Sequence, residues 1–307
     1  MKTQCLIKAS GIKTNWQLYL MLLIPLAYII IFAYQPMYGA QIAFRDFRVT
    51  RGILGSRWIG LDHLRRFISA PNFSILIRNT VFLNLYALLA AFPFPILLAL
   101  CLNYVKNQRF KKLVQTTTYI PHFISVVVLV GILRQVLNPT IGIIGHLYTH
   151  LGLDRIDFFG KPEYFRSLYV WSGVWQHAGW GSIIYMAALS AIDPALHEAA
   201  TIDGASRLRR IWHIDLPGIL PTVVILFILN LGGFLRTGFE KAFLMQTPTN
   251  LGTSEVIDTY VYKMGLGAAG GNLGFSTAVG LFQSAIGFFL IVFANWLSKK
   301  VTQSSLW

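Results

Sequence analysis

Long apolar runs separated by short basic segments dominate this 307-residue chain. A helix needs about 20 apolar residues to cross a hydrocarbon core. Six stretches meet that length: residues 18–38, 80–102, 113–133, 167–192, 217–235 and 275–297. In lipid such stretches must be helices, because no water satisfies open backbone groups there. The pattern predicts an all-α, polytopic membrane protein with six transmembrane helices in one domain, residues 1–307, with no linker or internal repeat to divide it. Pro25, Pro93, Pro95 and Pro121 fall inside the runs and predict kinks. The first run follows Lys2, Lys8 and Lys13 as a signal peptide would, but Tyr34 to Tyr38 offers no small-residue cleavage site, so it reads as a retained span.

Composition narrows the class. The chain is 55% hydrophobic and 12% charged, about half the charge of an ordinary soluble domain. The net charge of +14 would suit a nucleic-acid binder, yet Lys and Arg sit in short blocks between apolar runs, as topology signals do. Lys106, Arg109, Lys111 and Lys112 form one block, Arg207, Arg209 and Arg210 another, and Lys299 and Lys300 a third. With the three N-terminal lysines they mark one side, read as cytoplasmic, and an even number of spans puts both termini there. The 39–79 loop resists, since it should lie outside and yet holds seven arginines. Within it, Trp58, Leu61, Leu64 and Ile68 recur at helical steps and predict an amphipathic interfacial helix. Gly265, Gly267, Gly270, Gly271 and Gly274 predict a pliant end to the 240–273 loop. Cys5 and Cys101 lie far apart and indicate neither a disulfide nor a metal site.

The most informative segment, 193–217, lies between the fourth and fifth runs. Glu198, Asp203, Arg207, Arg209, Arg210 and Asp215 are too dense in charge for lipid, so this is a structured loop at a membrane face. Asp193 before Pro194 is an N-cap followed by proline at the first helical position. Gly204 predicts a bend, and a second short helix over 206–214 is expected to close at Pro217. A push on such a helix–bend–helix element would move both adjoining spans.

The spacing E-A-A-x-x-D-G-A, eight residues, then I-x-L-P is carried by Glu198, Ala199, Ala200, Asp203, Gly204, Ala205, Ile214, Leu216 and Pro217. It resembles the coupling segment of ABC importer permeases, specifically the carbohydrate branch related to the maltose permease pair. Ala43 to Phe47, Trp58 to Asp62, Arg109 to Gln115, Tyr119 to Phe123 and Val256 to Tyr262 look like its polysaccharide and complex-sugar subgroup. The resemblance implies a bacterial inner-membrane permease subunit with a second permease, two ATP-binding subunits, an extracytoplasmic solute-binding protein and membrane lipid as partners. It implies that ATP and Mg are held on the partner subunits and that this chain binds no cofactor and is not an enzyme. Consistent with that, no G-x-x-x-x-G-K-[ST] loop is present to cradle phosphates. In the carry-over Glu198 contacts a basic ATPase residue, Ala199 and Ala200 allow close approach, Gly204 is the bend, and Arg207 pairs with acidic residues or lipid head groups.

Polar side chains inside spans are candidates for a sugar pathway or for helix-to-helix hydrogen bonds, and the sequence leaves both open. They are Asn84, His122, Trp175, Gln176, His177, Trp180, Asn230 and Gln283, with Arg134, Arg236 and Glu240 near outer span ends. Arg134 and Arg236 would suit an acidic sugar. The alternative is an ion-driven secondary sugar transporter. Against it stand the lack of a carboxylate central to any span and of inverted repeats. A membrane-embedded enzyme is disfavoured because His122 and His177 have no acidic partner within the spans.

Overall fold

The computed structural model describes residues 16–267 and 271–301. Lys2, Cys5, Lys8, Lys13 and Gly270 lie outside the described residues. The described chain is nearly all helix, with a single two-residue β-ladder.

Helix α1 runs Trp16–Phe44, α3 Phe73–Asn103, α9 Arg207–Gly232 and α13 Leu273–Val301. These four are long and apolar enough to cross a membrane, and a bent pair makes a possible fifth. The expected fourth span is α7, Pro162–Ser190. Its 29 residues give about 43 Å, ample for a bilayer. Its polar residues, Gln176 and His177 among them, keep it below the apolarity of the others.

Three local expectations are corrected. The third run does not form one continuous helix. It breaks into α4, Gln108–Phe123, and α5, Val126–Val136, at an angle of 102°. Pro121 shapes the tight last turn of α4, and Ser125 restarts the chain by accepting the Val128 N–H at 3.3 Å. Trp58 and Leu61 are not helical. Arg57–Trp58 (β2) pairs antiparallel with Arg45–Asp46 (β1), and the helix that follows, α2, covers only Asp62–Ile68. Pro217 does not end the second helix of the central segment. A wide five-residue turn over Ile211–Asp215 feeds directly into the span, and Pro217 sits two residues beyond it. Such a turn takes up the hydrogen bond and the space that proline denies an α-helix.

The bundle buries three apolar clusters. Leu83, Val130, Val174 and Met245 hold α3, α5, α7 and α10 (Phe239–Met245) together. Phe67, Leu76, Ile257 and Val279 join α2, α3, α12 (Ile257–Leu266) and α13. Ala99, Tyr185, Leu189 and Ile219 pack α3, α7 and α9 beside the central segment. The loops between spans carry α6 (Ile143–His150) and α11 (Leu251–Ser254).

Candidate functional site

Two features stand out, a protruding helix pair at one end of the bundle and a cavity inside it. The pair begins with α8, Pro194–Ile202. Asp193 accepts the Ala195 N–H at 2.9 Å, and Pro194 occupies the first turn, where a missing N–H costs nothing. At the other end Ala205 N–H reaches the Ala200 carbonyl at 2.8 Å and Gly204 N–H the Thr201 carbonyl at 3.1 Å. That closure needs a left-handed residue, and Gly204 supplies it at φ +72°. Ser206 then caps α9 by accepting from Arg209.

Glu198, Ala199, Asp203, Gly204, Arg207 and Pro217 are exposed, while Ala200, Ala205 and Leu216 are half-buried. Ala200, Ala205, Arg209, Arg210, His213 and Ile214 line a cleft of about 360 Å³ beside the bend. Sequence reasoning passed over the apolar residues of this polar segment. Ile202 is 87% exposed, and Leu196, Leu208 and Trp212 are exposed with it. No residue of α8 is buried. The available signal was the presence of four large apolar residues in a segment too charged for lipid. Sequence reasoning also missed Tyr104 and His197, which meet the buried Asp215 at the foot of α9.

The cavity, about 450 Å³, lies between α3, α7 and α9. Of the expected pathway residues it gathers Asn84, Asn230 and Arg236, and His177 joins them. Asn84 donates to the Thr237 hydroxyl at 3.0 Å and to the Thr80 carbonyl at 2.9 Å. Asn230 donates to Leu226 O at 2.7 Å, and Arg236 to the Ser284 hydroxyl at 3.1 Å. Among the described residues Arg236 is the one Lys or Arg that lines the cavity and no carboxylate lines it, while Asp258 lies near enough to feel the Arg236 charge.

Gln283, Gln176, Trp175 and Trp180 stand elsewhere. Gln283 is buried and donates to Leu235 O and the Asp258 carboxylate, both at 3.0 Å, so it pins the segment that carries Arg236. Burial raises the Asp258 carboxyl above its ordinary range, against the opposing Gln283 hydrogen bond. Gln176 is buried and donates to Ile124 O at 2.7 Å, closing the break between α4 and α5. Trp175 borders a separate apolar cleft of about 560 Å³ with Trp171 and Leu129. Trp180 stacks on His122 with ring centres 4.6 Å apart, and His122 Nδ1 lies 3.2 Å from His177 Nδ1. Beside the cavity wall, Lys241 of α10 donates to Tyr169 O at 2.8 Å, and burial pushes its ammonium down to about 8. Among the described residues no group of three His, Cys, Asp or Glu side chains could hold a metal ion.

Comparison with known proteins gives this architecture a place. The family described as "Binding-protein-dependent transport system inner membrane component" matches residues 72–303. The polygalacturonan/rhamnogalacturonan transport system permease protein YteP of Bacillus subtilis is 46% identical over 290 residues, covering 94% of this chain and 90% of that one. Protein LplB of the same organism is 41% identical, covering 97% and 93%. A crystal structure of a bacterial ABC transporter involved in the import of the acidic polysaccharide alginate superposes with a TM-score of 0.87 at 40% identity, covering 95% and 98%. On the matched residues and the full-length likeness, the chain belongs to the family of inner membrane components of binding-protein-dependent transport systems.

Proposed function

We propose that this chain is the permease subunit of an ATP-driven importer and forms, with a second permease, the pathway for an oligosaccharide or polysaccharide fragment. An extracytoplasmic binding protein delivers the fragment, and two separate subunits bind ATP and Mg. The chain itself carries no catalytic residue. Its work is to alternate between states that bind those partners differently, since a partner shifts an equilibrium only by its differential affinity. We assign six crossings by α1, α3, the α4–α5 pair, α7, α9 and α13, within one permease domain, with both termini cytoplasmic.

The observation that carries this reading is the exposed, acidic and apolar face of α8 on the bend before α9. Glu198, Ala199 and Ala200 make the contact, Asp203, Gly204 and Ala205 set the bend, and Arg207 lies beside it. Leu216 and Pro217 join the pair to the span. Substrate passes Asn84, Asn230 and Arg236. Amides suit hydroxyl-rich rings, and a guanidinium on the wall suits a uronate by paired hydrogen bonds. An acidic fragment also agrees with the polygalacturonan and alginate named for the similar proteins.

The test uses the assembled complex with loaded binding protein. Proline cannot adopt the φ of Gly204, and lysine reverses the charge at Glu198. Gly204→Pro and Glu198→Lys are each expected to leave membrane insertion intact and to cut substrate-stimulated ATP hydrolysis by about tenfold or more, equivalent to ~1.4 kcal/mol of coupling. Normal stimulation in both variants would remove α8 from the docking role.

A further inference from the structure

We propose that Asp215 is the positioning residue of a three-way latch, with Tyr104 and His197, through which movement of α8 reaches the α3 span as well as α9. The proposal rests on the reading that α8 is where the ATPase subunit docks. Asp215 is fully buried at the foot of α9, in the wide turn that precedes Pro217. A buried carboxylate persists only where other groups compensate it. Its compensation comes from two elements remote in sequence. Tyr104, which closes the end of α3, donates its hydroxyl to Asp215 Oδ2 at 2.6 Å. His197 of α8 places Nε2 3.3 Å from Oδ1, an ion-pair contact when the imidazole is protonated, and among the described residues Oδ1 accepts no hydrogen bond. Among the described residues no Lys or Arg comes within ion-pair distance of this carboxylate.

The Tyr104 hydroxyl is correspondingly hard to ionise. Burial, assisted by its bond to Asp215, pushes it up to about 12, so it stays a donor at any working pH. Arg210 closes the arrangement. Its guanidinium lies 5.7 Å from the centre of the Tyr104 ring and donates to the Thr201 hydroxyl of α8 at 3.0 Å.

The mechanical argument follows from the bend. A Cβ at Gly204 would meet nothing within 4 Å, so the bend is held by its own hydrogen bonds and the Arg210–Thr201 bond rather than by packing around Gly204. A push on α8 transmitted by the bend alone would be partly absorbed there. The buried carboxylate ties α8, the start of α9 and the end of α3 at one point and makes them move together. A node in a low-dielectric site is suited to that: the Tyr104 arm is a hydrogen bond whose loss leaves Oδ2 unpaired, and the His197 arm is an ion-pair contact to Oδ1.

The experiment uses the complete complex in lipid nanodiscs with substrate-loaded binding protein. Variants are Tyr104→Phe, His197→Gln, Asp215→Leu and the Tyr104→Phe/Asp215→Leu pair. The readouts are co-purification of the ATPase subunits, basal hydrolysis, stimulated hydrolysis and substrate imported per ATP. The expected result is full co-purification and unchanged basal hydrolysis, with stimulation and import per ATP reduced about fivefold in Tyr104→Phe. The paired variant should be no worse than Asp215→Leu, because both changes break the same bond. Tyr104→Phe keeps the ring and decides the matter should Asp215→Leu fail to fold. Variants that lower only the melting temperature, with import per ATP intact, would overturn the proposal. So would loss of co-purification, which would put the latch within the docking surface. Failure of the docking reading has a different signature: normal stimulation in Glu198→Lys and Gly204→Pro.

Discussion

Helices α1 and α7 are each 29 residues long, and they solve opposite problems. The most apolar stretch of α1 has none of its residues buried. Its last turn meets α13, and the rest of the helix presents apolar side chains outward on every side. Helix α7 packs against α3, α4, α9 and α10 and buries nine residues. Ser172, Gln176, Gly179 and Ser182 are among those nine. In water the buried stripe of a helix is its apolar one. In lipid the surroundings are already apolar, so close approach and interhelical hydrogen bonds decide what is buried. The less hydrophobic of the two helices is therefore the centre of the bundle.

The sharpest way to break that contrast is to enlarge a small residue on α7. A Cβ at Gly179 would come within 2.1 Å of the Thr118 carbonyl oxygen and 2.4 Å of its carbon, so the α4 backbone would have to move. Gly179→Leu is expected to cost about 3 kcal/mol or more, seen as loss of a monodisperse folded species in detergent. The matched change on α1, Ile24→Ala, alters a residue that is 74% exposed and should cost under about 0.5 kcal/mol. A large loss for Ile24→Ala would show that protein, not lipid, covers α1 in the assembly.

The contrast also governs where a cation can lodge. Lys241 lies against α7, donating to Tyr169 O with its ammonium 4.7 Å from the Tyr169 ring centre. Its folded value near 8 lies below the ordinary 10.5, so burial favours the neutral form. Below pH 8 the group is protonated in both states and the full penalty applies. Between pH 8 and 10.5 the folded state releases its proton first, and stability rises with pH. The rise should not exceed roughly 3 kcal/mol and should vanish in Lys241→Met. Thermal unfolding of the purified complex from pH 7.5 to 10 measures it, and a flat wild-type profile would contradict the buried-cation assignment.

The sequence made some of this legible and hid the rest for identifiable reasons. The cap at Asp193 and the bend at Gly204 depend on neighbours in the chain, and both appear where local chemistry puts them. Helices α1, α3, α9 and α13 were readable from length and apolarity, whereas α7 reads weakest because it is the most enclosed. The break near Ile124 was not readable. A kink at Pro121 is a local signal, but a turn of 102° stands because Gln176, 52 positions away, satisfies the Ile124 carbonyl. The course of the chain through Pro217 depends on a wide turn that no residue type announces. Trp58 has helical spacing from Leu61 and Leu64, yet pairing with Arg45 places it in a ladder. Among the pathway candidates, Asn84, Asn230 and Arg236 converge on one cavity. Gln176 and Gln283 are equally polar and bind carbonyls of other elements instead, a choice set by packing partners 52 and 48 positions distant.

Gln176 also gives the finest test of the comparison, because it asks whether the polarity of α7 is there for hydrogen bonding or for substrate. Gln176→Leu keeps the volume, removes the 2.7 Å bond and leaves the Ile124 carbonyl open at the break between α4 and α5. Interhelical hydrogen bonds in bundles of this kind are worth about 0.6 kcal/mol on average and rarely more than about 1.7. The variant should lose about 1 kcal/mol, a fall of a few degrees in melting temperature, while half-saturation for substrate in the assembled complex stays within about twofold of wild type. A pathway residue would show the reverse, with stability kept and half-saturation moved severalfold. Asn230→Leu supplies the contrast inside the same experiment, since Asn230 lines the cavity and its one bond is to its own helix at Leu226 O. If Gln176→Leu and Asn230→Leu behaved alike, the division of α7 and α9 polar residues into those that tie helices and those that face the fragment would fall.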